Sequence, residues 1–218
     1  MSNIEVYDSA QSIAIIGMSG CFPGAKNIEK FWENLSSGIE SISTFTDAEL
    51  IASGIEPELL SNPQYVKSIA VLENVDLFDA SFFAFNPKEA EITDPQHRVF
   101  LECAWEALEN AGYDCQHCES RIGVYAGAGS NNYLSFDLSS DRAGLASIFQ
   151  KGIGNDKDFL ATRVSYKLNL TGPSLTVQTA CSTSLVAVSL ACQSLLGITI
   201  PKQLRTWLTL SLPVLWIN

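Results

Sequence analysis

Residues 154–196 read GNDKDFLATRVSYKLNLTGPSLTVQTACSTSLVAVSLACQSLL, and the fold class is decided here. The stretch up to Leu170 has the pattern of a helix, which Gly172–Pro173 is expected to break. SLTVQTA (174–180) then reads as a strand, and CSTSLVAVSLACQSLL (181–196) as an apolar helix. Upstream, SIAIIG (12–17) reads as a short buried strand ending at Gly17, and RIGVYAGAG (121–129) as another running into a glycine-rich loop. Strands alternating with helices argue for a layered α/β fold.

Two further helices carry their own punctuation. In NIEKFWENLSSG (27–38), Ile28, Phe31, Trp32 and Leu35 fall on one face, Asn27 can cap the start and Gly38 can end it. In DPQHRVFLECAWEALENAG (94–112), Asp94 offers the cap and Pro95 suits the first helical position. Val99, Cys103, Ala107 and Ala111 form its apolar stripe, and Gly112 marks the stop. Residues 39–92 read as an irregular excursion with short elements. Residues 1–11 are polar and read as a lead-in without the basic, apolar pattern of a signal peptide.

Bulk properties narrow the function classes. Apolar residues make up 46% of the 218 and charged residues 17%, which fits a chain with a real core rather than a disordered one. A formal charge of −11 repels phosphate backbones and anionic lipid, so neither nucleic acid nor a membrane surface is an expected partner. No uncharged apolar run of about 18 residues is present, so no membrane span is expected. The six cysteines, at 21, 103, 115, 118, 181 and 192, are expected to be reduced, in a cytoplasmic protein.

Chemistry concentrates at the junction of the 174–180 strand with the helix after it. A cysteine at the first turn of a helix meets unsatisfied N–H groups and the positive end of the helix dipole, both of which favour thiolate, the nucleophilic form. A tight turn also lifts the side chain off the sheet edge, as for serine in nucleophile elbows. Physics alone leaves simple packing as the commoner role for such a cysteine.

The segment TACSTSLVAV (179–188) resembles the active-site signature of β-ketoacyl synthases, the condensing enzymes of fatty-acid and polyketide assembly. Three other segments resemble the same family in the same order: IAIIGMSGCFPGA, DPQHRVFLECAWEALENAGYD, and the run from Gly154 into the cysteine. LFDASFFAFNPKEAEITDPQHR has the flavour of modular polyketide synthases. The resemblance covers about residues 13–196, the N-terminal part of a ketosynthase domain.

This resemblance implies the N-terminal half of a thiolase-like fold, αβαβα in layers, from a family that usually forms homodimers. It implies that Cys181 accepts an acyl group from the phosphopantetheine arm of an acyl carrier protein, with no tightly bound cofactor and no metal. A malonyl-type extender then decarboxylates, and its carbanion attacks the acyl thioester to give a β-keto product, one hard step split in two. The Cys181 amide would supply one oxyanion donor, worth about 3 kcal/mol where such a donor is preorganised.

Departures from the family pattern are equally plain. The family's two supporting histidines lie in downstream motifs like HGTGT and NIGH, whereas His97 and His117 are the two histidines here and neither stands in such a motif. His97 is expected to be structural and His117 solvated. CQHC at 115–118 resembles half a zinc or redox motif, but structural zinc takes four ligands and no second pair lies nearby. Gly17, Gly20 and Gly24 do not have the dinucleotide-binding spacing.

After Leu196 the pattern changes to GITIPKQLRTWLTLSLPVLWIN, 22 residues without Asp or Glu. Pro201 and Pro213 argue against a membrane-touching helix, and a frame-shifted or prematurely terminated end is expected. The alternation in LTLSL (208–212) could pair as a strand even so. Two rivals to the condensing enzyme follow: a truncated remnant that catalyses nothing, and a cysteine hydrolase, for which no Cys–His–Asn/Asp set can be assembled.

Overall fold

The computed structural model describes residues 12–114, 117, 121–131, 133, 144–197 and 210–211, with backbone alone for 144–147 and 210–211. The described residues fall into two compact units, one formed by residues 21–74 and the other by residues 12–20 together with the described residues from 75 onward.

In the smaller unit, α1 (Ile28–Ser36) starts where Asn27 accepts the Lys30 N–H at 2.9 Å. It is followed by Ser37 and by Gly38 at φ 65°. The expected apolar face is present in sequence but unevenly buried: Phe31 stacks on Phe22 with ring centroids 4.0 Å apart, while Trp32 is 69% exposed. The residue of α1 that is buried is Asn34, whose amide donates to the Gly24 carbonyl at 2.9 Å. Beyond α1 the unit holds β2 (Ser43–Thr44), α2 (Asp47–Ala52), α3 (Pro57–Leu60) and β3 (Ser68–Ile69), with β2 and β3 antiparallel. These are the short elements expected of an irregular excursion.

The larger unit contains the strand–helix alternation. Its first strand, β1 (Met18–Ser19), differs from expectation: residues 12–17 form no ladder, and Ile15 is 61% exposed. A β-branched run becomes a strand only where backbone partners exist. Here the partner found is β6 (Leu210–Ser211), parallel to β1 over two residues. Gly17 is nonetheless tightly placed, because a Cβ there would lie 2.5 Å from the Ala107 carbonyl oxygen.

Helix α4 (Pro87–Ile92) leads into α5 (Pro95–Asn110), which matches its sequence punctuation: Asp94 accepts the Gln96 N–H at 2.7 Å, Pro95 follows, and Gly112 takes φ 76°. Val99, Cys103 and Ala107 are buried as the stripe predicts, but burial also takes in His97, Arg98, Phe100 and Leu101, so the first half of α5 is enclosed on nearly all sides. Strand β4 (Val124–Ala126) pairs in parallel with β5 (Ser174–Thr176), Tyr125 opposite Leu175. A parallel pair needs a crossover. That connection contains α6 (Gly144–Asn155), a 3-10 turn (Lys157–Phe159) and α7 (Leu160–Lys167).

Helix α7 stops earlier than Gly172–Pro173 predicts. Asn169 adopts a left-handed φ of 54°, and the Leu170 N–H returns to the Ser165 carbonyl at 2.8 Å, the bond that closes a helix C-terminus. Asn is one of the few residues with tolerance for that conformation, and it outranks the glycine three residues on. Phe85, Phe100, Leu101, Leu108, Ile122, Val124, Leu160, Ala161, Val164 and Leu168 form the core between α5, α7 and β4. The last helix among the described residues is α8 (Thr183–Leu196), ending on Gly197 at φ 73°.

Candidate functional site: the Cys181 turn

Cys181 lies in a 3-10 turn, Ala180–Ser182, that runs directly into α8. Its position therefore differs slightly from the sequence expectation, which put it in the first α-helical turn. The residue before it, Ala180, has φ 52°, a left-handed conformation that costs a non-glycine residue about 1–2 kcal/mol. The chain thus turns sharply between β5 and α8, and Cys181 comes out exposed, as a free thiol.

Hydroxyl groups brace this turn. Ser182 Oγ lies 2.8 Å from the Thr179 carbonyl oxygen and 3.1 Å from the Thr179 hydroxyl. Thr183 Oγ1 accepts the Thr179 N–H at 2.9 Å and donates to the Ala180 carbonyl at 2.8 Å. On the strand side, Val177 N–H bonds to the Ala126 carbonyl at 2.7 Å, extending the β4–β5 pairing toward the turn. Gly127 is enclosed there: a Cβ would overlap Thr183 Cγ2 and stand 2.5 Å from the Val177 carbonyl oxygen. Neither Thr183 nor Gly127 was singled out by the sequence; the TACSTS motif contains the first, but its bracing role depends on the turn geometry.

His97 is placed elsewhere in function. Its side chain is 1% exposed, and Arg163 Nε donates to its Nδ1 at 3.3 Å. Burial, reinforced by the Arg163 charge and only partly opposed by Asp156, pulls its pKa down to about 4, so the ring is neutral at ordinary pH. With Nδ1 accepting, Nε2 carries the hydrogen; among the described residues that buried atom has no partner. Arg163 also donates to the Ile153 carbonyl, lies 3.9 Å from Glu89 and packs on the Phe85 ring, and desolvation by burial depresses its pKa. Lys167 joins the group over the same ring, with its nitrogen 3.7 Å from the centroid. The cluster locks α7 to the neighbouring helices.

His117 is 84% exposed at its side chain and pairs with Asp114 at 2.7 Å. Cys115 and Cys118, the thiols of the CQHC motif, lie outside the described residues, as does most of the chain after Gly197. Among the described residues no group of three metal-ligating side chains converges, and no helix is long and apolar enough to cross a membrane. A cavity of about 370 Å³ opens beside α4, α6 and α7, lined by Glu89, Thr93, Ile153 and Arg163 among others. Cys181 is not in its lining, and within it Arg163 already lies 3.9 Å from Glu89 and donates to the Ile153 carbonyl.

Fold and turn together define an α/β protein that presents a cysteine thiol where a parallel strand turns sharply into an apolar helix. Residues 10–198 match the family described as "Beta-ketoacyl synthase, N-terminal domain". The chain belongs to the β-ketoacyl synthase family.

Its curated relatives are polyketide synthases. It is 49% identical over 194 residues to a phenolphthiocerol/phthiocerol polyketide synthase of Mycobacterium tuberculosis, a match covering 85% of this chain and 13% of that one. It is 40% identical over 186 residues to the polyketide synthase PksN of Bacillus subtilis, covering 84% of this chain and 3% of the relative. Among solved structures, ketosynthase twelve of the bacillaene polyketide synthase of Bacillus amyloliquefaciens is similar with a TM-score of 0.76 at 37% identity, covering 86% of this chain and 33% of that one. The ketosynthase from module 1 of the bacillaene synthase of B. amyloliquefaciens FZB42 follows with a TM-score of 0.73 at 38% identity, covering 87% of this chain and 33% of the other. The fold is therefore α/β and thiolase-like, that of polyketide-synthase ketosynthases, and the chain spans about a third of the solved domains it resembles.

Proposed function

We propose that this chain is the acyl-accepting part of a polyketide-synthase ketosynthase, with Cys181 as the nucleophile. The reading is supported above all by one observation: the exposed thiol of the TACSTS segment stands on a strained turn between β5 and α8. In the step proposed, the Cys181 sulfur attacks the thioester carbonyl of an acyl group on the phosphopantetheine arm of an acyl carrier protein. The new C–S bond forms as the bond to the phosphopantetheine sulfur breaks. The cysteine proton ends on the departing phosphopantetheine thiol, and the acyl group is held as an enzyme thioester.

In the complete reaction, an extender of malonyl type would lose carbon dioxide and its carbanion would attack that thioester, freeing the Cys181 thiol. These 218 residues contain two histidines, His97 enclosed beside Arg163 and His117 on the surface. Neither is available as the decarboxylation group that the family resemblance implies. Residues 1–218 on their own are therefore proposed to reach the acyl-cysteine stage and to make no β-ketoacyl product. An acyl carrier protein is the proposed partner, with pairing to a second ketosynthase as in a homodimer; a nucleic acid is disfavoured by the charge of −11.

The test is to incubate the purified chain with an acyl carrier protein bearing a short acyl chain and to map adducts by mass spectrometry. A hydroxylamine-labile acyl group on Cys181, absent from the Cys181→Ala chain, is the expected result. Acylation distributed over the other cysteines, or none at all, overturns the assignment.

A further inference from the structure

The left-handed Ala180 raises a question that the family membership does not answer: what holds a non-glycine residue in that conformation immediately before the exposed thiol? A residue in this region persists only where its surroundings over-determine it. The turn has one side chain bonded to both residues that precede Cys181. Thr183 Oγ1 accepts the N–H of Thr179 at 2.9 Å and donates to the carbonyl of Ala180 at 2.8 Å, using the donor and one acceptor site of a single hydroxyl. Ser182 reaches Thr179 alone.

Thr183 is itself held from behind. Its methyl lies against Gly127, in the space that any side chain at position 127 would occupy. The loop containing Gly127 is tied down in turn, because the Gly129 N–H donates to Gln96 Oε1 at 2.8 Å. Gln96 is 5% exposed, and its amide donates to the Asp94 carboxylate at 3.1 Å. A stiff β-branched side chain with both a hydroxyl and a methyl suits this place: the methyl seats the residue against β4 and the hydroxyl closes the turn.

We propose that Thr183 is a positioning residue for Cys181, its hydroxyl clamping the 179–180 backbone so that the thiol is presented from the start of α8. The proposal rests on the reading of Cys181 as the acyl acceptor. Without the hydroxyl, the Thr179 N–H loses this partner and the Ala180 carbonyl keeps only the Thr183 backbone N–H, so Ala180 is freer to relax toward a right-handed conformation that reorients the next residue.

The experiment compares iodoacetamide labelling of Cys181 at fixed pH in the parent chain, Thr183→Val and Thr183→Ser, with Cys192 labelling and thermal melting followed in parallel. Thr183→Val keeps the shape and loses the hydroxyl, so Cys181 labelling is expected to slow roughly fivefold, the net scale of one hydrogen bond in a solvent-exposed turn. Thr183→Ser keeps the hydroxyl and is expected to label close to the parent rate, with Cys192 unchanged in all three. Should Thr183→Val fail to fold, Thr183→Ala gives the same comparison against Thr183→Ser. Parent-like labelling in the chains lacking the hydroxyl overturns the clamp and leaves the nucleophile reading standing. Equal slowing in Thr183→Ser also overturns it, since a purely packing role would produce that. A parent chain with no preference for Cys181 overturns the nucleophile reading, and the clamp with it.

Discussion

At the scale of single residues, the cysteines differ in exposure. Cys181 is exposed and Cys103 buried, with Cys21 and Cys192 between them, so among these four Cys181 is expected to be alkylated fastest by iodoacetamide. Peptide mapping after partial labelling checks this, and preferential modification of Cys21 or Cys192 would count against a formed nucleophile turn. His97 behaves in the opposite way. Its folded pKa of about 4 lies below the ordinary value of 6.5, so the unfolded chain binds a proton between those values while the folded chain does not. The contribution is fully present above about pH 6.5 and is lost as pH falls toward 4, amounting to roughly 3 kcal/mol over the window. Urea denaturation at pH 7 and pH 5 should register the loss. A His97→Gln chain, which can keep an acceptor for Arg163, should show a flatter pH dependence.

At the scale of elements, caps and close approaches decide where helices start and how near they come. Asn27 caps α1 through the Lys30 N–H, and Asn27→Ala should cost about 1 kcal/mol of local stability, read as faster amide exchange at Lys30 and Phe31. Gly127 governs the approach of β4 to α8. Gly127→Ala forces the Thr183 side chain or the Val177 carbonyl to move, an overpacking of the kind that costs about 1–3 kcal/mol. A lowered melting temperature together with slower Cys181 labelling is expected. Full stability with unchanged labelling would show that the approach is not tight.

At the scale of the whole molecule, large apolar side chains stand exposed on several elements of the larger unit. Leu185 on α8 is 75% exposed and Leu175 on β5 is 45% exposed, while Tyr166 on α7 is 82% exposed. Apolar side chains uncovered on neighbouring elements favour association. Residues 1–218 are therefore expected to self-associate at micromolar concentration, by light scattering, and Leu185→Glu should reduce that association. The same chain mixed with acyl- and malonyl-loaded carrier protein is expected to yield no β-ketoacyl product, and robust product by mass spectrometry would show that condensation needs none of the groups these residues lack.

Much of this was legible in sequence. Asp94–Pro95 and Gly112 delimited α5, Asn27 and Gly38 delimited α1, and TACSTS pointed to the family and to Cys181 as its candidate nucleophile, because caps, breakers and a motif are local in the chain. Tertiary structure decided the rest. Residues 12–17 have the composition of a strand but no ladder, since pairing depends on a partner remote in sequence. The end of α7 was set by Asn169 closing a helix terminus rather than by the stronger breaker beyond it. The neutrality of His97 comes from burial beside Arg163, 66 residues away. The brace behind Cys181 likewise joins Thr183 to Gly127, which no local pattern connects. Sequence determines what a segment can form and which chemistry it carries; which groups meet is determined by contacts between segments far apart in the chain, and those exist only once it has folded.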